Sequence, residues 1–233
     1  MDYIADQGNF VPDHRGILPF LEDRRWQIRF FAIDLLGKCK EPAVEDALIK
    51  ILEACNDHHE FLSICGALQK IGTAQSIPLL IEKTKHKDQW IRIGAYEALH
   101  VLGNQELLPI FIEGLKDRFY CSKHHAVIGV CKFDDGNYTD LVYKFVSKLT
   151  SYSRILEADE TKPTDLIAGL SYLDRYIGDK GKMVKLLERI TRVERDVFSE
   201  TEKKFIEKYI ENGHRVDQNK NPFNRNSQGT LLR

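Results

Sequence analysis

The chain of 233 residues is long enough to bury a sizeable core, either as one domain or as a stack of small units. Its composition, 42% hydrophobic and 30% charged, is ordinary for a soluble protein, and a formal net charge of −1 argues against nucleic-acid binding through bulk charge. No apolar run approaches the ~18–20 residues that cross a bilayer, and the acidic start MDYIADQGNF is not a secretory signal. These features predict a cytoplasmic protein.

The cysteines and the charge distribution add two expectations. The chain has five cysteines, an odd number, and several fall on apparently apolar helix faces, so reduced thiols are predicted rather than a disulfide framework. Residues 1–60 carry seven Lys/Arg against twelve Asp/Glu, a net of −5, whereas residues 61–130 (eight against six) and 131–233 (nineteen against seventeen) each carry +2. An acidic first segment favours a basic partner.

The first predicted helices repeat one another along the chain. WQIRFFAIDLLG, which ends at Gly37, resembles QWIRIGAYEALHVLG, which ends at Gly103, and a related helix ends at Gly72. In each, an alanine precedes the glycine by five positions, and the glycines are 35 and 31 residues apart. We expect each glycine to take a positive φ and so to end its helix.

A second apolar helix follows each of these glycines. The predicted spans are Ala43–Ala54, Ser76–Thr84 and Glu106–Leu115. Pro78 and Pro109, again 31 residues apart, fall in the first turn of the second and third of these helices, where a missing N–H costs least. The spacing therefore indicates helix pairs of fixed period.

Later segments continue the pattern in weaker form. Tyr120–Phe133 and Tyr138–Leu149 read as a fourth helix pair, and residues 163–211 contain two further candidate pairs. Helix pairs of fixed period indicate a solenoid, because one pair cannot bury its apolar stripe alone and neighbouring pairs share a core. The predicted fold is therefore all-α, an α-solenoid of about five to six helix pairs.

The motif Asp-x-x-Trp-x-Ile-Arg-x-x-Ala-x-x-x-Leu-Gly at residues 23–37, with a variant at 88–103, resembles HEAT repeats, in particular a short HEAT-like type. The resemblance implies that the repeat charges form a structural ladder, which would comprise Asp23, Arg29, Asp88 and Arg92. Trp26 and Trp90 stand beside the same Ile-Arg pairs, so packing between repeats is expected of them. We predict one repeat domain over residues 1–211, with residues 1–15 as an N-terminal cap, and a polar tail over residues 212–233.

The sequence gives only weak signals for a catalytic or metal-binding motif. CNDHHE at residues 55–60 and CSKHHA at residues 121–126 both contain Cys-x2-His-His, but they lie in different repeats and neither has zinc-finger spacing. HHEFLSICGALQKIG resembles one repeat of deoxyhypusine hydroxylase, yet only His59 is followed by Glu, and one His-Glu pair cannot supply a di-iron site. No phosphate-loop, nucleophile-elbow or zincin motif is present. We therefore predict no metal, no cofactor and no enzymatic activity.

The functional prediction is a non-catalytic α-solenoid that binds a protein partner with a basic surface, and neither nucleic acid nor membrane. In fold and character the chain resembles immunity proteins of bacterial toxin systems, including contact-dependent growth inhibition, which would make the partner a toxin domain such as a basic nuclease. A regulatory scaffold, and less so a HEAT-like lyase or hydroxylase, remain alternatives. The predicted partner-binding residues are Glu45, Asp46, Glu53, Glu82, Glu106, Glu113, Asp134, Asp135 and Tyr138.

Overall fold

The computed structural model describes residues 13–151, 154, 163–192 and 197–211. Regular structure in these ranges is helical, with no strand. The α-helices of the described ranges are α1 His14–Ile17, α2 Trp26–Leu36, α3 Pro42–Ala54, α4 His58–Ile71, α5 Ile77–Lys83, α6 Gln89–Leu102, α7 Leu108–Gly114, α8 Tyr120–Phe133, α9 Thr139–Val146, α10 Asp165–Tyr176, α11 Lys180–Thr191 and α12 Glu200–Glu211. The predicted all-α fold of stacked helix pairs, an α-solenoid, is confirmed.

Two sequence predictions fall outside these ranges. The polar tail over residues 212–233 and most of the N-terminal cap lie outside the described residues. Within them, no helix combines the length and the apolar character needed to cross a membrane. The chain divides into two compact units, Met1–Gly103 and Asn104–Arg233, here called unit 1 and unit 2.

Unit 1 stacks its helices as the repeats predict. The first helices of successive repeats pack on one another, α2 on α4 and α4 on α6, while α3 packs on α4 and α5 on α6. Side chains from all of these helices fill the core, among them the fully buried Ile33, Leu48, Phe61, Leu80 and Leu99. Each second helix thus covers the first helix of the next repeat, which is how a solenoid buries apolar stripes that a single pair leaves open.

Unit 2 continues the same scheme. Helix α7 packs on α8, α8 packs on α10, and α9 contacts both α8 and α10. The buried ring of Phe111 stacks on Phe133, with centroids 5.7 Å apart. The last described helix, α12, also packs on α10.

Capping residues and prolines set several helix starts. The Asp57 carboxylate accepts a hydrogen bond from the backbone N–H of Glu60, and the Asp88 carboxylate accepts one from that of Trp90. These bonds satisfy N–H groups that have no partner inside the helix. Prolines occupy the first turns of α3, α5 and α7, as the spacing of Pro78 and Pro109 predicted.

The expected positive φ at the repeat glycines is wrong. Gly37, Gly72 and Gly103 have φ of −62°, −66° and −82°. Close approach accounts for the glycine at two of them, because a Cβ would lie 3.1 Å from Ala67 at Gly37 and 2.5 Å from the Leu68 carbonyl oxygen at Gly72. The recurring glycine therefore makes room for neighbouring backbone and does not supply a left-handed turn.

Candidate functional site

The predicted acidic surface is present in part on the second helices of unit 1. Asp46 and Glu53 on α3 and Glu82 on α5 are exposed. Asp46 accepts a hydrogen bond from the Gln75 amide at 2.6 Å, and the backbone carbonyl of Glu53 accepts one from Lys83 Nζ at 3.0 Å. These three carboxylates remain candidates for partner binding.

Glu45 does not belong to that surface. It is 4% exposed, and its Oε1 accepts hydrogen bonds from the backbone N–H of Thr73, at 2.7 Å, and from the Thr73 hydroxyl, at 3.3 Å. The sequence carried a signal for this, because Glu45 precedes the buried Leu48 and Leu52 by three and seven positions and so shares their helix face. Its carboxylate holds the loop that begins the second repeat's second helix.

The predicted partner-binding residues of unit 2 also differ in their exposure. Glu106, Glu113 and Asp135 are exposed and Tyr138 is half-buried. Glu113 forms a surface ion pair with Lys116 at 2.6 Å. These side chains remain available to a partner, although exposed ion pairs of this kind contribute little to stability.

The prediction of an exposed, partner-binding side chain is also wrong for Asp134. It is 4% exposed, and its Oδ2 accepts hydrogen bonds from the backbone N–H groups of Gly136 and Tyr138 and from the Tyr172 hydroxyl. Burial alone would raise the pKa of Asp134, but the bond from Tyr172 and the backbone bonds outweigh it and hold this pKa below its ordinary value. Asp134 therefore fixes the loop between α8 and α9, in which Gly136 has φ of +109°.

An exposed aromatic stripe on α2 was missed by the sequence analysis. Trp26 is 64% exposed, Phe30 47% and Phe31 48%, and Phe20 just before the helix is 49% exposed. The packing predicted for Trp26 is therefore wrong, whereas Trp90 is 37% exposed and stacks on its neighbour His58. The sequence signal for this surface was the spacing of Trp26 and Phe30, which are four residues apart and so lie close together on one helix face.

The repeat arginines are structural, as the resemblance implied, but through different contacts. Nη1 of Arg29 donates to the carbonyls of the residues six and five positions before it, at 2.9 and 3.4 Å, and Nη1 of Arg92 does the same at 2.8 and 3.1 Å. The ion pair between repeats joins Arg29 to Glu60, with Nε 2.5 Å from Oε1. Each arginine thus holds the loop before its own helix.

Unit 2 contains a buried charge network centred on Arg154. All five guanidinium hydrogens have acceptors: Nε donates to the Tyr120 hydroxyl, Nη1 to the Val197 carbonyl and to Glu202, and Nη2 to Asp165 and to Glu202. The side chain of Arg154 is 2% exposed, and those of Asp165 and Glu202 are fully buried. A buried charge is tolerated when it is paired and hydrogen-bonded in this way.

Two neighbours complete the network. The hydroxyl of Tyr120 donates to Asp165, and Nδ1 of His124 lies 3.4 Å from Oδ2 of the same carboxylate. Burial would raise the pKa of Asp165, but the charges of His124 and Arg154 outweigh it and hold this pKa well below its ordinary value. Burial, reinforced by the charge of Asp165, raises the pKa of Tyr120. The network joins α8, α10 and α12, so its evident role is structural.

The metal-ligating side chains are dispersed in the described part of the chain. No three His, Cys, Asp or Glu side chains there come close enough to hold a metal ion. None of the five cysteines forms a disulfide, and burial raises the pKa of the Cys65 and Cys131 thiols. Unit 2 does have an open cleft of about 490 Å³ between the start of α9 and the start of α11, lined among others by Tyr138, Tyr176 and Lys182.

The fold and these sites define an α-solenoid built from stacked helix pairs. No protein-family model matches the sequence, and no curated protein matches it. Among solved structures, the chain is similar to the complex of CpcE and CpcF of phycocyanin lyase from Nostoc sp. PCC7120, with 16% sequence identity and a TM-score of 0.46, over 89% of this chain and 97% of that chain.

This comparison corrects one prediction. The sequence analysis predicted a protein that is not an enzyme, whereas the similar structure is that of a lyase, and the prediction is withdrawn. A likeness of this size transfers no residue, substrate or partner to the present chain.

Proposed function

We propose that the chain is a protein-binding α-solenoid and that the exposed stripe of α2 anchors a protein partner. The observation that carries the proposal is the exposure of Trp26, Phe30 and Phe31 on a helix whose Ala32, Ile33 and Leu36 are buried. Large aromatic side chains exposed together mark an interaction surface, and they are the residue types that dominate binding energy.

The charge of unit 1 favours a basic partner. The first 60 residues carry a net charge of −5. Asp46, Glu53 and Glu82 keep exposed carboxylates on the second helices of the same unit. Complementary charge speeds association and selects the partner, while buried aromatic anchors supply most of the affinity.

The narrower form of the proposal is an immunity protein that neutralises a bacterial toxin domain with a basic surface, as in contact-dependent growth inhibition. The acidic first segment supports this form, since nucleases that act on polyanions present basic surfaces. The experiment expresses the protein encoded beside this chain, alone and together with it, and measures growth and co-purification. Toxicity relieved by this chain, with a stable complex, is the expected result.

The affinity of variants for the partner identifies the binding surface. Trp26→Ala with Phe30→Ala should weaken the complex at least tenfold, because each is of the kind that costs ~2 kcal/mol or more when removed from the centre of an interface. Val184→Ala, which shortens a 38% exposed apolar side chain in unit 2, is the matched control and should change affinity less than twofold. Reversing Asp46, Glu53 and Glu82 to Lys should chiefly slow association and reduce its salt dependence.

Other outcomes contradict parts of the proposal. If the protein encoded beside this chain is not toxic but still binds through α2, the immunity function is excluded and a regulatory scaffold is the remaining function. If the Trp26→Ala, Phe30→Ala variant and the Val184→Ala control bind the partner equally well, the α2 surface is not the binding site. A covalent change in the co-purified partner, detected by mass spectrometry, would instead support the lyase-type alternative.

A further inference from the structure

Helix α11 of unit 2 carries the opposite charge from the exposed carboxylates on the second helices of unit 1. Helix α11 exposes Lys182, Lys185, Arg189 and Arg192, the last directly after its final turn. These four cations recur at intervals of three, four and three residues, which confines them to an arc of about 80° on a helix of 3.6 residues per turn. They are called the α11 stripe below. Met183, Leu186, Leu187 and Ile190 occupy the buried arc of the same helix.

The cations of the α11 stripe are not neutralised locally. Within the described ranges Lys185 and Arg189 form no ion pair, while Lys182 lies 3.7 Å from Asp140 and Arg192 lies 3.7 Å from Glu188. Both pairs are long and exposed, and such pairs contribute little. Helix α9 and the turn after it add Lys144 and Lys148, both exposed. The surface therefore keeps an excess of positive charge that the chain's net charge of −1 conceals.

The stripe begins at the open cleft of unit 2. Lys182 lines this cleft together with Tyr138 and Tyr176, and the other polar residues that line it are Asn137, Thr139, Asp140 and Asp179. A volume of about 490 Å³ admits a planar heterocycle of the size of a nucleobase. Cationic tracks that lead from aromatic pockets are the arrangement that single-stranded nucleic acid requires, since the track follows the phosphates and the rings stack on bases.

The spacing of the cations also suits a phosphate backbone. From Lys182 to Arg192 the stripe extends about 15 Å at 1.5 Å per residue. A stripe of this length can follow several consecutive phosphates of one strand, and its four cations can pair with them. We propose that the α11 stripe and the adjoining cleft bind single-stranded nucleic acid. This surface is distinct from the one on α2, and the proposal departs from the expectation of no nucleic-acid partner, which rested on net charge.

The test is fluorescence anisotropy with a labelled single-stranded oligonucleotide of mixed sequence, with the full chain, at NaCl concentrations from about 25 to 200 mM. The expected result is saturable binding whose affinity falls with salt, with a slope of about −3 in log K against log [salt] for about four contacts on a single strand. The variant Lys185→Glu with Arg189→Glu should bind at least tenfold more weakly at each salt concentration.

A matched control separates this stripe from charge in general. Lys116→Glu with Lys204→Glu changes two exposed cations of unit 2 that lie off the stripe, alters the net charge equally, and should change affinity less than twofold. Circular dichroism verifies that both double variants keep their helices. Three results would overturn the proposal: no binding at the lowest salt, equal loss in both variants, or tighter binding of polyglutamate or of the corresponding duplex than of the single strand.

Discussion

Unit 1 and unit 2 hold consecutive elements together with arginines placed at very different depths. Arg29 and its partner Glu60 in unit 1 keep side-chain exposures of 24% and 18%, and water reaches both. Arg154 in unit 2 and its two carboxylate partners are 2% exposed or less. The same type of ion pair therefore stabilises one unit from its surface and the other from its interior.

The difference matters because burial changes the consequence of losing a partner. An exposed pair that is broken leaves two groups that water can solvate. A buried pair that is broken leaves an uncompensated charge in a medium of low dielectric constant, which is far more costly. The two units should therefore respond unequally to matched substitutions, and the following predictions are ordered by the expected size of the effect.

The largest effect is expected for Arg154→Met. It removes five donated hydrogen bonds and leaves Asp165 and Glu202 buried without their cation, so the free energy of unfolding should fall by about 3–5 kcal/mol. Chemical denaturation followed by circular dichroism measures the change. Adding Asp165→Asn and Glu202→Gln to the same variant should recover part of the loss, because the remaining buried groups are then neutral. A cost no larger than that of Arg29→Ala would contradict the assignment.

Gly129→Ala tests how tightly unit 2 is packed. An added Cβ would overlap the ring of Phe111, which is fully buried and cannot move aside, so a loss of about 1–3 kcal/mol is expected. The counterpart in unit 1 is Gly94→Ala, whose Cβ would lie 2.8 Å from the tip of the half-buried, flexible side chain of Leu62. Thermal unfolding of both variants should show the smaller shift for Gly94→Ala, and the reverse order would disprove the packing argument.

Arg29→Ala tests the partly exposed pair of unit 1. We expect a loss of about 1 kcal/mol, at the upper end for exposed pairs because the contact to Glu60 is bidentate. A double-mutant cycle with Glu60→Gln separates the pair's coupling energy from the bonds to loop carbonyls. Lys38→Ala, which removes a more exposed partner 3.7 Å from Asp34, is the control and should have almost no effect. Strong salt dependence of the coupling would confirm its exposure.

The smallest effect is expected for Gly66→Ala, and it has the opposite sign. Gly66 lies inside α4, and no atom stands within 4 Å of an added Cβ, so alanine should stabilise unit 1 by about 0.5–1 kcal/mol through its helix propensity. Gly169→Ala in α10 of unit 2 is the contrasting variant, because its Cβ would overlap Val146. A rise in melting temperature for the first and a fall for the second is expected, and a fall for both would contradict the open space beside Gly66.

Prediction from sequence succeeded where the information is local. The helix starts at Pro78 and Pro109 and the exposure of Asp46, Glu53 and Glu82 followed from spacing within a few turns. It failed where the partner is remote. Glu45 is held by a residue 28 positions away, and Asp134 by a hydroxyl 38 positions away. A pattern of period 3.6 shows which face a residue occupies but not which groups stand opposite it.

The sequence by itself determined the repeat, the helical fold class and the acidic first segment, because periodicity, helix capping and composition are properties of short stretches of chain. Tertiary structure alone decided that Trp26, Phe30 and Phe31 remain exposed and that Arg154 gathers partners 11 to 48 positions away. The physical reason is that burial and charge pairing depend on which helix faces meet. Those contacts form only when the repeats stack.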